Sequence, residues 1–185
     1  MKKTVKILIA AVFAVAFGSL ANAQSASISA NATVISEISV TTQANLEFGT
    51  VVVGQTKSID GLGSIDVSSG PTLGSSQLGR FLIEAQKGSN VQLTFALPTN
   101  LSTTGGALLP ISFGPGVSAK SAIVELRPGY QTEFTPSVPY QISGFLNSAE
   151  PTDRYIQVSI GGKVDATSAT AGSYTGIITL SAIYN

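Results

Sequence analysis

Hydrophobic and polar positions along the chain fall into two regimes. Ile7 to Phe17 is an unbroken apolar run. From Ser25 onward, apolar side chains instead alternate with Ser, Thr, Asn and Gln, in clusters separated by Gly, Pro, Asn and Asp. A repeat of two puts alternate side chains on opposite faces of a pleated strand, whereas a helix needs a repeat of 3.6. The pattern predicts strands at Ala26–Val34, Glu37–Thr42, Thr50–Val53, Lys57–Val67, Gly79–Gln86, Val91–Leu97, Leu108–Phe113, Ala122–Leu126, Val138–Phe145, Tyr155–Ile160 and Ser173–Tyr184. Lys87-Gly88-Ser89-Asn90 joins two strong strands and predicts a hairpin over Gly79–Leu97. Turns are also expected at Gly114-Pro115-Gly116, Arg127-Pro128-Gly129 and Gly161-Gly162, and at Asp60-Gly61 inside Lys57–Val67. The Gly-, Ser- and Thr-rich stretches Ser68–Ser76 and Thr99–Ala107 read as loops. Many short strands spaced this way predict an all-β sandwich or barrel, with no internal repeat and no linker to divide it.

The two ends alternate most cleanly. Ala26, Ile28, Ala30, Ala32 and Val34 point to one face, and Ser25, Ser27, Ser29, Asn31 and Thr33 to the other. Such a strand is either the first strand of its own sandwich or one lent to a neighbour. Near the other end, Tyr174, Gly176, Ile178, Leu180, Ala182 and Tyr184 share a face, and Gly172 precedes them.

The early apolar run acquires a meaning from its flanks. Lys2, Lys3 and Lys6 precede it, and Ala21-Asn22-Ala23 follows with the small-x-small pattern of a cleavage site. Together these are the parts of a secretory signal. The run is shorter than the roughly 20 residues a membrane span needs. The expected organisation is a signal peptide over 1–23, an alternating strand over 24–36 and a β-sandwich over 37–185. The mature chain is expected in the periplasm, at the cell surface or outside the cell of a Gram-negative-type bacterium, with no membrane insertion after cleavage.

Composition then narrows the chemistry. Removing the three signal lysines leaves seven basic against ten acidic side chains, a net charge of −3. The basic residues are scattered, and nucleic-acid binding needs them clustered. Cysteine is absent, so neither a lipid anchor nor a disulfide is expected. Histidine is absent too, which removes imidazole bases, Ser-His-Asp triads and the common zinc sites. Asp60 with Asp66, or Glu125 with Glu133, are the remaining carboxylate pairs, better read as solvated charges. Glu150-Pro151-Thr152-Asp153 matches no defined calcium loop, and Gly61-Leu62-Gly63 completes no dinucleotide fingerprint. Tyr130, Tyr140 and Tyr155 are either a sugar platform or core and interface aromatics. The expectation is a structural or binding module without catalytic residues, metal or cofactor.

The termini carry a resemblance. A penultimate Tyr184, alternating apolar residues before it and Gly172 fourteen from the end resemble the C-terminal strand of chaperone–usher pilus subunits. In the body, Leu46-Glu47-Phe48-Gly49-Thr50-Val51-Val52-Val53-Gly54 and the later Ala171-Gly172-Ser173-Tyr174-Thr175-Gly176 look like the bacterial domain-of-unknown-function family 4402. The outline is also similar to the spore-coat-U type of secreted pilin-like protein. The resemblance implies an Ig-like or pilin-like sandwich of antiparallel, Greek-key strands that lacks its last strand. It implies Gly172, Tyr174, Ile178, Leu180, Ala182 and Tyr184 as a groove strand bound by a periplasmic chaperone. It implies Ala26, Ile28, Ala30, Ala32 and Val34 as an assembly strand for other subunits of the same or related type, delivered through an outer-membrane usher. Many pilins carry a disulfide, and this chain departs from them there. The competing expectation is a self-contained secreted module that binds a glycan or another surface ligand.

Overall fold

The computed structural model describes residues 28–114, 122–127, 130–145 and 155–185. The signal segment and Ala26 lie outside the described residues. The chain divides into two units, Met1–Val34 and Ile35–Asn185. In the first, residues 28–34 form no strand, with Ile28 96% and Val34 91% exposed. The strand expected over Ala26–Val34 is therefore absent from its described part. Alternation alone does not hold a strand, because its N–H and C=O groups need a ladder partner.

The second unit is all-β. Its described strands are β1 (Ser39–Ala44), β2 (Thr56–Ile59), β3 (Ile65–Val67), β4 (Gly79–Glu84), β5 (Val91–Ala96), β6 (Asn100–Ser102), β7 (Leu108–Ser112), β8 (Ala122–Arg127), β9 (Tyr130–Phe134), β10 (Tyr140–Ile142), β11 (Tyr155–Ile160), β12 (Gly162–Asp165) and β13 (Thr179–Tyr184). They form antiparallel sheets in the orders β1-β4-β11-β8-β9, β10-β5-β13 and β3-β2-β12-β7-β6. Among the described residues no sheet closes on itself, and the architecture is a β-sandwich rather than a barrel.

Alternation decides which faces meet. Phe81 and Ile83 of β4 and Ile156, Val158 and Ile160 of β11 pack against Val91 and Leu93 of β5, Ile142 of β10 and Leu180 of β13. This is the main core, between the first two sheets. Phe81, Phe95, Phe134 and Tyr140 extend it as a ladder of rings with centroids 6.0, 6.1 and 4.5 Å apart. A second cluster lies on the third sheet, where Ile59, Leu109, Ile111 and Val164 meet Phe48, Leu78 and Ala166. Each large aliphatic fully buried this way contributes about 1.5–3 kcal/mol.

The expected Gly79–Leu97 hairpin does not form. β4 lies between β1 and β11, and β5 between β10 and β13. The connecting turn bonds elsewhere: the Gly88 N–H donates to the Phe145 carbonyl at 2.8 Å, and the Phe145 N–H to the Ser89 carbonyl at 2.6 Å. Both strands bury one face, and stacking those faces buries more apolar surface than laying the strands side by side. Gly161-Gly162 is likewise not a turn. β11 passes through Gly161 straight into β12, and so from the first sheet into the third. A Cβ at Gly161 would lie 2.0 Å from the Ile59 carbonyl oxygen. The glycine is needed for close backbone approach, which a sequence pattern cannot separate from a turn.

Other expectations shift in extent. Lys57–Val67 is a hairpin of β2 and β3, with Ile59 opposite Ile65. The Asp60 carboxylate accepts the N–H groups of Leu62 at 2.9 Å and Ser64 at 2.8 Å, the turn its sequence suggested. Thr50–Val53 is not a strand; Thr50 makes one isolated bridge, to Leu73. Ser173–Tyr184 is regular from Thr179 onward, with a single earlier bridge from Thr175 to Ser102.

Gly161→Ala should destabilise the fold by about 3 kcal/mol, the upper end of the usual cost of overpacking. Gly105, whose added Cβ would meet nothing nearer than 3.8 Å, is the control and should tolerate alanine. Urea titration of both variants checks this, and equal midpoints would rule out the close-approach role.

Candidate functional site

A cleft of about 920 Å³ opens beside the two terminal strands of the sandwich. One wall is the chain after β1, where Leu46, Phe48 and Val51 line it. The opposite wall is the segment before β13, residues 169–178, including Gly172, Tyr174 and Ile178. Behind them the buried side chains of Phe81, Ile111, Ile160 and Val164 close the floor of the cleft. Two strands lead into these walls. Among the described residues, β1 pairs with β4 alone and β13 with β5 alone. Each keeps one edge of unpaired N–H and C=O groups.

Both walls are held from behind. Glu47 and Gln77 exchange backbone hydrogen bonds at 2.8 Å each way, and the Ser76 hydroxyl donates to the Phe48 carbonyl at 2.9 Å. Gly49, at φ +65°, lets this wall approach the Ser75 carbonyl closely enough that no Cβ would fit. Lys57 of β2 supports the same wall. Its side chain is 1% exposed, and its ammonium donates to the carbonyls of Thr50 at 3.2 Å and Leu73 at 3.0 Å. Burial holds this ammonium below the ordinary lysine value of 10.5. On the other wall, Ser102 and Thr175 exchange hydrogen bonds at 2.8 and 2.9 Å, and the Tyr174 hydroxyl donates to the Thr170 carbonyl at 2.7 Å.

The residues singled out in sequence separate by role. Gly172, Tyr174 and Ile178 line the cleft. Leu180, Ala182 and Tyr184 pack on the main core. The Tyr184 hydroxyl also accepts the Gln86 N–H at 2.9 Å and donates to the Ser36 carbonyl at 2.7 Å. Ile28, Ala30, Ala32 and Val34 are exposed, and Ala26 lies outside the described residues. Sequence reasoning missed Lys57, because a charge between polar neighbours reads as surface. It also missed the Tyr184 bond to Ser36, whose partners are 148 residues apart.

The remaining candidates do not converge into a described site. Tyr140 of the second sheet stacks on Phe134 of the first, and Tyr155 lies in β11 of the first sheet. The side chains of Tyr130, Glu125, Glu150 and Asp153 lie outside the described residues. No group of three or more acidic side chains that would hold a metal occurs among the described residues. Glu47 is the one carboxylate among the residues lining the cleft. The cleft thus mixes apolar side chains with polar ones such as Thr42, Asn45, Thr50, Ser173 and Thr175. The chain matches no protein-family model, and no curated protein sequence matches it significantly.

The lowered Lys57 value has a definite sign. Between that value and 10.5 the unfolded chain binds more protons than the folded one, so this group makes stability rise with pH. Below the window its opposition to folding is complete and constant. Lys57→Met should therefore lack the alkaline rise expected of the parent, as read from urea midpoints between neutral pH and about pH 10. Parallel profiles in the two proteins would sink the assignment.

Proposed function

We propose that this chain is an exported structural subunit that assembles by β-strand addition, in the manner of a pilus or fimbrial subunit or another surface-assembly and adhesion component. The observation that carries the reading is the cleft between the extensions of β1 and β13, two strands with one unpaired edge each. A strand seated there gains ladder hydrogen bonds on its edges and buries alternate side chains. The segment Ala26–Val34 has the required alternation, and Ile28 and Val34 stand exposed at its ends. Each is worth about 1.5–3 kcal/mol if fully buried, and the alanines between them less.

The same reading assigns the export signal over 1–23 a purpose. Cleavage after Ala23 leaves the alternating segment close to the new N-terminus. The resemblance to chaperone–usher subunits and to domain-of-unknown-function family 4402 supports the same role. It adds a periplasmic chaperone, an outer-membrane usher and related subunits as partners.

The mature chain is expected to associate in a concentration-dependent way, and deletion of residues 24–35 to leave it monomeric. A synthetic peptide spanning residues 25–36 should then bind the deleted chain and raise its melting temperature. Sedimentation and thermal denaturation make the test. Oligomers that persist after the deletion, or a peptide without effect, would refute the reading.

A further inference from the structure

The junction at Ser36 raises a question that the cleft alone does not. Ser36 leads from the alternating segment into β1, which is itself one side of the cleft. The simplest way to fill the cleft would be a hairpin within one chain, with residues 28–35 folded back along the free edge of β1. Three observations oppose it.

The first is turn chemistry. A two-residue hairpin there would turn through Ser36-Glu37, flanked by Ile35 and Ile38. Such turns need positive φ at one or both central residues and favour Gly, Asn or Asp. Ile35-Ser36-Glu37-Ile38 offers none of these. The second is restraint. The Ser36 carbonyl accepts the Tyr184 hydroxyl at 2.7 Å, and its N–H donates to the Gln86 side-chain carbonyl at 3.3 Å. The Tyr184 hydroxyl is in turn fixed by the Gln86 N–H at 2.9 Å. Both backbone groups of the would-be turn residue are thus tied to the C-terminal strand and to the turn after β4. The third is register. A turn at Ser36-Glu37 places Val34 opposite Ser39 and Ile28 opposite Asn45, counting residues outward along the two strands. The cleft lining on this side begins at Thr42, about 20 Å along the strand from Ser36. Val34 would fall short of it, and of the two large side chains only Ile28 would reach. A segment from another molecule has no such constraint and can set both along the cleft.

We propose that the Ser36–Tyr184–Gln86 junction is a latch that bars the N-terminal segment from its own chain's cleft and leaves it the cleft of a second copy. This rests on the strand-addition reading above. Tyr184 is then a positioning residue: its ring packs on the core, and its hydroxyl fixes where the free segment begins.

The test compares the mature chain with Ser36→Asn/Glu37→Gly/Tyr184→Phe, which supplies a favourable turn and removes the latch while keeping the ring. Hydrogen exchange is measured on monomers at high dilution. In the parent, amides 29–35 should exchange at nearly free-chain rates; in the variant they should gain roughly tenfold protection or more. The variant should also associate less at high concentration. Should the triple variant fail to fold, judged by exchange of the β4 and β11 amides, Glu37→Gly/Tyr184→Phe, which still removes the latch hydroxyl and frees the turn, carries the same readout. An unprotected segment in the folded variant, or a protected one in the parent monomer, overturns the latch. Failure of the underlying assembly reading looks different: a parent with an unprotected segment that forms no oligomer at any concentration.

Discussion

The structure depends on how the backbone groups of its first and last strands are satisfied. β1 and β13 each complete a sheet on one side and stop on the other. Neighbouring edges left unpaired present ladder groups that water solvates well and that another strand would pair with. Between the extensions of these strands the partly exposed side chains of Leu46, Val51 and Ile178 line the cleft and pack on the two core clusters. Open edges beside a cleft are what the proposed strand addition would use.

The walls of the cleft are tied to elements deeper in the sandwich. The passage of β11 into β12 through Gly161 links the main core to the third sheet without a loop. β12 pairs with β2, and β2 carries Lys57. Its buried ammonium ties Thr50 to Leu73, at the one bridge between those segments. The cost of burying that charge is tolerated because two carbonyls solvate it, and it holds one wall in place in a protein without disulfides. A wall held in place this way would lower the entropy lost in the proposed docking of a strand.

The chain is also organised end to end. The penultimate tyrosine, which pattern alone places on the core face of the last strand, reaches with its hydroxyl to the residue where the free segment meets the sandwich. Assembly through the N-terminal segment and packing of the C-terminal strand would then be linked through one side chain. The export signal, the alternating segment and the cleft form one proposed sequence of events, in which processing precedes assembly.

Much of this was legible in the residues. Period-two alternation named most strands and their inward side chains: Phe81, Ile83, Val91 and Leu93 face the core as their spacing requires. Asp60 made the turn its type favours. Alternation is a local property, set by the geometry of neighbouring residues, so it survives without knowledge of the rest of the chain. Partnership is not local. Whether β4 pairs with β5 or stacks against it, whether Gly161 turns or passes through, and whether Lys57 is solvated by water or by Thr50 and Leu73 depend on contacts between distant segments. So does the cleft, whose walls lie more than a hundred residues apart in the chain. The sequence determined an all-β chain with two alternating ends; tertiary structure decided which edges stay open, because an edge is open only relative to what the rest of the chain places beside it.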